Sequence, residues 1–510
     1  MGERVRKSML NAEVNILFYF LSLFFAFFSR KIFLDCLGSE FIGLTGTLNN
    51  ILGYLNLSEL GISACIGYFL FKPLQSGNRE EIQDILSLLG YLYNWIGAII
   101  FCGAFIVSLF FPLIFSHTEL SLGIIYFAFY SFLGSSLIGY FINYRQILLG
   151  ADQKRYLVAI YMQTANLLKI VLQIYLAYNY RNLYVWVGIE FLFGLLGCIV
   201  LNWKINKEYP WLKVNKRRGR QLLKQYPEII SKTKQVFIHK IKDFMLIKSD
   251  ELFIFFFVSL KMVAYYGNYM IIISKLISLF SSITGSVGAS VGNLVAEGNK
   301  QNMLKVFWEF TTIQHTIAAT LAFSLYAFLE PFIVHWLGAE YVMDHSILLM
   351  LVIFIYITNS RQSVDSFNYA HGLYADVWSA WAELIINVGV TIVCGIKWGI
   401  VGILMGKIAS LVPIIMLWKP YYLFTAGFKE PVGIYWRGVL RNYAISAFAI
   451  AAALYTIRFI PLNPYNSIGE WAGYCAVSMT IFLSYDLSAT LLFAKGAKDS
   501  VNRIKLMRKR

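Results

Sequence analysis

Residues Trp95 to Phe115 read WIGAIIFCGAFIVSLFFPLIF, a stretch without a single charged side chain. A helix that crosses a membrane needs about 20 consecutive, mostly apolar residues, and further apolar runs occur at Ile16–Phe28 and Phe253–Leu260. The 510-residue chain is 58% hydrophobic and only 14% charged, whereas soluble proteins carry about 25% charged residues. This composition excludes a soluble enzyme, a disordered chain and a secreted disulfide scaffold. It predicts an all-α polytopic membrane protein.

The apolar runs predict fourteen membrane-spanning helices, and some of them exceed one bilayer crossing and are expected to tilt. The predicted helices cover residues 12–34, 41–71, 86–115, 121–148, 155–178, 183–203, 233–260, 263–295, 304–334, 344–370, 376–396, 399–420, 439–459 and 470–493.

The net charge of +16 has two possible explanations. A nucleic-acid-binding module would gather its basic residues on one soluble domain, but here they are scattered through short segments between apolar runs. With fourteen spans, 31 of the 44 Lys and Arg residues fall on the side that carries both termini, and six fall on the other side. Basic residues accumulate on the cytoplasmic side of a membrane. The sequence therefore predicts cytoplasmic termini and no nucleic-acid partner.

Two halves of the chain are weakly similar at a spacing of 221 residues. Gly46 matches Gly267, and Gly77-Asn78-Arg79 matches Gly298-Asn299-Lys300. Six helices per half give both halves the same orientation, which predicts a parallel repeat about an axis normal to the membrane. We therefore expect an N-lobe at 1–203 and a C-lobe at 233–420. The expected domain layout is completed by a basic cytoplasmic linker at 204–232 and by helices 13 and 14 with a basic tail at 421–510.

Two similar lobes without a catalytic domain are typical of an alternating-access transporter, whose substrate binds between the lobes. The loops on the side opposite the termini are short, and no catalytic or metal-ligating motif is present. We expect no enzyme activity and no cofactor.

The seventh predicted helix carries an unusual stripe of charge. At 100° per residue, six of the seven ionisable side chains between His239 and Glu251 fall on one half of the helix, among them Lys240, Asp243, Lys248 and Asp250. Charges that face lipid cost about 2.5–3.5 kcal/mol each. The stripe therefore indicates the lining of a watery cavity, although local ion pairs such as Lys240–Asp243 are the alternative.

Further charges within the predicted spans extend this set. Lys275 and Arg361 either line the same cavity or pair locally, and Arg30 is a cavity residue or an interface anchor. Basic side chains in a cavity suit an anionic substrate, because they form charge-assisted bonds to phosphate. We therefore predict that Arg30, Lys240, Lys248, Lys275 and Arg361 bind substrate. The carboxylates of Glu59, Asp243, Asp250 and Glu251 are candidates for binding Na⁺ or H⁺ as a coupling ion.

Several short segments resemble one family of membrane proteins. The segments are Arg30–Leu34, Leu37–Leu44, Asn50–Leu52, Leu57–Ile62, Phe71–Leu74, Asp152–Tyr156, Tyr209–Leu212 and Tyr265–Tyr269. Together they resemble bacterial polysaccharide-biosynthesis flippases, which include the O-antigen and capsular repeat-unit flippases of the multidrug/oligosaccharidyl-lipid/polysaccharide (MOP) exporter superfamily. The likeness covers the first twelve helices and is most specific in the first 75 residues.

The resemblance implies a V-shaped, two-lobe fold in the bacterial inner membrane. It also implies that an undecaprenyl-pyrophosphate-linked oligosaccharide moves from the cytoplasmic to the periplasmic leaflet, driven by an ion gradient or the membrane potential. Polysaccharide polymerases and glycosyltransferases of the same pathway are the implied partners, and a monomer is expected. A drug or cation antiporter like the multidrug and toxic-compound extrusion (MATE) transporters is the first alternative function. A membrane polysaccharide polymerase or transferase is the second.

Overall fold

The protein is described here from a computed structural model, which covers residues 2–56, 62–152, 154–230, 233, 249–284, 291, 294–295, 298–373 and 376–499. These residues form helices joined by turns, and no strand occurs among them. The all-α polytopic fold predicted from the sequence is therefore confirmed.

The chain begins with helices that match the first six predicted spans. They are α1 (Gly2–Leu37), α2 (Ser39–Leu55), α3 (Ile62–Ser76), α4 (Arg79–Leu109), α5 (Phe111–Ile114), α6 (Leu122–Phe141), α7 (Gln146–Ala151), α8 (Arg155–Tyr180) and α9 (Leu183–Glu208).

The rest of the chain is also helical. They are α10 (Gly219–Gln225), α11 (249–257), α12 (Leu260–Thr284), α13 (Lys300–Trp336), α14 (His345–Ser360), α15 (Gln362–Ala370), α16 (Val377–Leu411), α17 (Lys419–Tyr422), α18 (Gly433–Thr456) and α19 (Ile468–Phe493). Two π-helical segments, Val412–Trp418 and Leu423–Phe428, flank α17.

Eleven helices in the described part of the chain are long and apolar enough to cross a membrane. One of them, Trp378–Phe428, covers two of the predicted spans. Large apolar side chains such as Phe20 and Phe24 are 60% and 61% exposed on the outside of these helices. Such faces are stable only against lipid chains, because soluble proteins rarely expose large contiguous apolar patches.

The long helical stretch Trp378–Phe428 is divided into two spans at Gly399. This residue has φ 56° and ψ −130°, a conformation that glycine adopts and that other residues resist. The chain then folds back on itself so closely that a Cβ on Gly402 would overlap the Cys394 carbonyl, and one on Gly406 would overlap the Thr391 hydroxyl. The glycines thus turn one long apolar stretch into a helical hairpin.

Two turns that match in the sequence repeat also match in conformation. Gly77 and Gly298 both have φ 72°. Each is followed by an asparagine whose side chain caps the next helix: Asn78 accepts a hydrogen bond from the Glu81 amide, and Asn299 accepts one from the Asn302 amide. An asparagine at this position satisfies a backbone donor that the helix leaves unpaired.

The chain forms two compact units. Unit 1 comprises Met1–Phe255 and Ser259–Gly267, and unit 2 comprises Phe256–Val258 and Asn268–Arg510. Helices α11 and α12 therefore contribute to both units, and the part of α12 up to Gly267 packs within unit 1.

The basic segment 204–232 includes a part that is docked on unit 1. Arg218 forms an ion pair with Asp84 of α4 at 3.2 Å. Gly219 lies so close to α4 that a Cβ there would overlap the Tyr91 side chain. The described part of this segment therefore has a defined packing surface, which a loose spacer would lack.

Candidate functional site

A close helix crossing in unit 1 brings together the segments that carry the candidate site. A Cβ on Gly43 of α2 would overlap the carbonyl of Leu260, the first residue of α12. Only glycine allows two helix backbones to approach this closely, and small residues serve the same purpose in membrane helix pairs. The crossing places α1, α2 and the start of α12 beside Asp250 and Glu251 of α11.

Arg30 of α1 reaches across this crossing. Its Nη2 donates a hydrogen bond to the carbonyl oxygen of Ala264 at 3.0 Å. Gly267 lies one turn further along α12, and a Cβ there would be 3.1 Å from the same nitrogen. The backbone of α12 thus fixes the position of the guanidinium, and the absence of a side chain at Gly267 makes room for it.

Glu251 of α11 contacts α2 in a similar way. Its Oε2 accepts a hydrogen bond from the Asn50 side-chain amide at 2.5 Å. A Cβ on Gly46, one turn earlier in α2, would lie 3.3 Å from the same oxygen. Asn50 and Gly46 therefore hold this carboxylate against α2.

Asp250, the residue before Glu251 in α11, is also hydrogen-bonded to a neighbouring helix. It is 3% exposed, and its Oδ2 accepts a hydrogen bond from the Tyr266 hydroxyl at 2.7 Å. Tyr54 of α2 lies near enough to interact with the same carboxylate electrostatically. Two adjacent carboxylates thus have separate polar partners on separate helices.

The two arrangements are related by the sequence repeat. Arg30 and Glu251 are 221 positions apart, and so are Gly46 and Gly267. Each charged side chain lies over the glycine that belongs to the other half of the repeat. At both ends of the site, a charged side chain of one half packs over a glycine of the other half, but the charge is positive at Arg30 and negative at Glu251.

The remaining predicted site residues are either outside the described part of the chain or away from this helix crossing. Lys240, Lys248, Asp243 and Glu59 lie outside the described residues. Lys275 lies on the part of α12 that belongs to unit 2 and is half-buried.

Arg361 lies at the junction of α14 and α15, where its Nη1 is 3.2 Å from Asp365 one turn ahead. This is the local pairing that the sequence left open for Arg361. The predicted residues that the described structure brings together are thus Arg30, Asp250 and Glu251, all in unit 1.

Sequence reasoning missed the neutral partners Asn50, Tyr54 and Tyr266. None carries a charge, so none stands out in a search for intramembrane charges. The repeat spacing is the one signal in the sequence that points to these positions, because it pairs Gly46 with Gly267.

Unit 1 also contains a polar cavity of about 220 Å³. Its lining includes Ser63, Tyr93, Tyr140, Tyr144 and Gln146. The Ser63 and Tyr93 hydroxyls are 2.5 Å apart, and the Tyr93 and Tyr140 rings meet edge to face. Hydroxyl groups beside aromatic faces offer both hydrogen bonds and flat apolar surface to a polar ligand.

Each unit has an aspartate near one end of its spans that binds an aromatic donor. In unit 1, Asp152 accepts a hydrogen bond from the Tyr209 hydroxyl at 2.8 Å. In unit 2, Asp376 accepts hydrogen bonds from the Trp418 indole and the Lys419 ammonium, both at 2.8 Å. Burial, together with the bond to Asp152, raises the pKa of Tyr209, so its hydroxyl remains a donor at physiological pH.

Comparison with known proteins adds evidence on the fold. No family model and no curated protein matches the sequence. A solved structure of the lipid II flippase MurJ in an inward closed conformation matches with a TM-score of 0.62 and 16% identity, over 94% of this chain and 98% of that chain. An inward-facing MATE-family multidrug resistance transporter of the MOP superfamily matches with a TM-score of 0.61 and 14% identity, over 79% of this chain and 94% of that chain. The chain therefore shares its polytopic helical fold with these two membrane proteins.

Proposed function

We propose that the protein is a flippase that moves an undecaprenyl-pyrophosphate-linked oligosaccharide, an O-antigen or capsular repeat unit, from the cytoplasmic to the periplasmic leaflet by alternating access. The observation that carries this proposal is the Arg30 guanidinium, which the Ala264 carbonyl holds among apolar spans. A guanidinium presents a planar fork of N–H donors that matches phosphate oxygens. The fold shared with a lipid II flippase supports a lipid-linked substrate.

The carboxylates at the other end of the site supply a second part of the proposal. Asp250 and Glu251 offer carboxylate oxygens next to the start of α12, and each accepts a hydrogen bond from a neutral donor. We propose that these carboxylates, together with Glu59 and Asp243, take up H⁺ or Na⁺ and couple transport to an ion gradient. Intramembrane carboxylates commonly serve proton or ion pathways.

The layout expected from the sequence completes the proposed flippase. It has an N-lobe at 1–203, a basic linker at 204–232, a C-lobe at 233–420 and a C-terminal helix pair with a tail at 421–510. The protein would act as a monomer in the bacterial inner membrane with both termini in the cytoplasm, alongside glycosyltransferases and a polymerase. Matching caps after Gly77 and Gly298 support the two-lobe division.

A MATE-like antiporter of drugs or cations is the second candidate. The pair Asp250 and Glu251 favours it, because carboxylates bind organic and inorganic cations, and a MATE transporter has the same fold. Both fold relatives are transporters or flippases, so a polymerase or transferase has no comparable support.

Arg30→Ala separates these functions. In a strain that depends on the protein, the flippase proposal predicts loss of surface polysaccharide at unchanged protein level. Lys31→Ala is the matched control, because Lys31 is exposed on the adjacent position of α1. In native mass spectrometry, the purified full-length protein should bind undecaprenyl pyrophosphate more tightly than undecaprenyl phosphate, and Arg30→Ala should remove that preference.

Two results would overturn the flippase proposal. One is normal surface polysaccharide in the Arg30→Ala strain together with no preference for the pyrophosphate. The other is a deletion strain with normal polysaccharide but increased drug sensitivity, which would establish the antiporter instead. A polymerase would shorten the polysaccharide chains without stopping their export.

A further inference from the structure

The C-terminal helix pair of unit 2 packs on α13 through a tightly fitted aromatic contact. The rings of Phe323 in α13 and Phe482 in α19 are stacked at 4.6 Å, and both are fully buried. Ala449 of α18 is buried in the same core. Asp486 lies one helical turn beyond Phe482, so its side chain projects from the same face of α19.

Asp486 is buried in this interface with no counter-charge among the described residues. It is 1% exposed, and neither carboxyl oxygen has a hydrogen-bond partner within the described part of the chain. The Thr316 hydroxyl of α13 lies close enough to interact with it. The side-chain amide of Asn442 in α18 is also buried and lacks a hydrogen-bond partner among the described residues. Native structures leave few such groups unsatisfied, so each one calls for a physical explanation.

Titratable side chains near this carboxyl lie on α13, α14, α18 and α19 itself. Tyr356 of α14 interacts with it electrostatically. His315 of α13 is next to Thr316 and is hydrogen-bonded to the Tyr356 hydroxyl at 3.1 Å. The ring of Tyr443 in α18 packs against the His315 ring with the ring centroids 4.9 Å apart. Tyr485 on α19 itself forms a hydrogen bond with the hydroxyl of Thr456 in α18. These neighbours are aromatic side chains, and no lysine or arginine in the described part of the chain forms an ion pair with the carboxyl.

We propose that Asp486 is a proton-binding site, which holds one proton while α19 is packed on α13. An ionised carboxylate in a dry interface without a counter-charge costs many kcal/mol, and such a group takes up a proton instead. A proton needs no other ligand, whereas hard cations such as Ca²⁺ need six or more oxygen ligands. The described residues hold no group of three or more His, Cys, Asp or Glu side chains arranged for a metal ion. Release of the proton then requires water to enter between α19 and α13.

Infrared spectroscopy of the full-length protein in lipid nanodiscs tests this site. The difference spectrum between wild type and Asp486→Asn at neutral pH should contain the C=O stretch of one protonated carboxyl per molecule, and this band should shift in D₂O. Glu340→Gln is the matched control: Glu340 is exposed in the Ala339–Tyr341 turn, so its removal should take away only an ionised carboxylate band. Loss of an ionised carboxylate band in Asp486→Asn would overturn the proposal.

Two further measurements keep the test decisive if Asp486→Asn does not fold. Asp486→Glu keeps a titratable carboxyl, so the protonated band should move to a new frequency and still be present. In wild type, the midpoint of thermal unfolding should fall as pH rises, because the folded state binds a proton that the unfolded state releases. A pH-independent midpoint together with an unmoved band would refute the site, and removal of the band by Na⁺ alone would identify a cation site instead.

Discussion

Arg30 and Glu251 occupy matching places in the repeat, and each charged side chain lies over a glycine from the other half. Arg30 lies over Gly267, and Glu251 lies over Gly46. The spacing of 221 residues is the same for the charges and for the glycines. One backbone arrangement thus holds a cation at one end of the site and an anion at the other.

Gly43 should be indispensable for the helix crossing that builds this site. Gly43→Ala places a methyl group on the Leu260 carbonyl, so α2 and α12 must separate. We expect the free energy of unfolding to fall by about 1–3 kcal/mol, as in other overpacked cores. Thermal unfolding in detergent measures this change.

Gly188→Ala in α9 is the control for Gly43, because a Cβ there meets nothing within 4 Å. It should leave stability unchanged or slightly higher, since alanine favours helices. Equal effects of the two substitutions would contradict the close crossing.

Asn50 and Glu251 should be energetically coupled. Asn50→Ala leaves the Glu251 carboxylate without its amide donor, and Glu251→Gln removes the charge that makes this bond strong. A double-mutant cycle on thermal unfolding should give a coupling energy of about 0.5–3 kcal/mol. Additive effects of the two substitutions would show that the hydrogen bond contributes nothing to stability.

Asp376 should contribute far more to stability than a carboxylate in an exposed ion pair. It is buried and accepts hydrogen bonds from Trp418 and Lys419. Asp376→Ala should cost about 1.5–3 kcal/mol, which is typical of a hydrogen bond to a charged group. Asp499→Ala breaks the exposed pair with Lys305 and should cost about 0–1 kcal/mol. Chemical denaturation curves of both variants compare the two sites, and equal losses would contradict this assignment.

The basic linker should resist proteolysis because it is docked on α4. Gly219→Ala pushes a methyl group into the Tyr91 side chain, so the docked segment must move away. Limited trypsin digestion should then cleave near Arg218 several times faster than in wild type. Gly433→Ala, where a Cβ meets nothing within 4 Å, should leave the cleavage rate unchanged. Rapid cleavage in wild type would show that the segment is not docked.

Part of the candidate site could be predicted from the sequence. The sequence points to Arg30, Asp250 and Glu251, because a charge within a predicted membrane span is energetically costly and therefore conspicuous. Their partners Asn50 and Tyr266 could not be identified in this way. A neutral polar side chain costs less free energy to bury than a charged one, so it does not stand out in an apolar stretch. Whether it faces lipid, a cavity or a carboxylate depends on helix packing.

The sequence by itself determined the membrane class, the approximate positions of most spans and the correspondence between Gly77-Asn78 and Gly298-Asn299. These features depend on local hydropathy and on residue types that a capped turn requires. Only the tertiary structure decided that Asn50 contacts Glu251, that the backbone of Leu260 packs against Gly43, and that Asp486 is buried with no counter-charge among the described residues. Those relationships join residues far apart in the chain, and they arise from the fit of one helix face against another, which hydropathy does not encode.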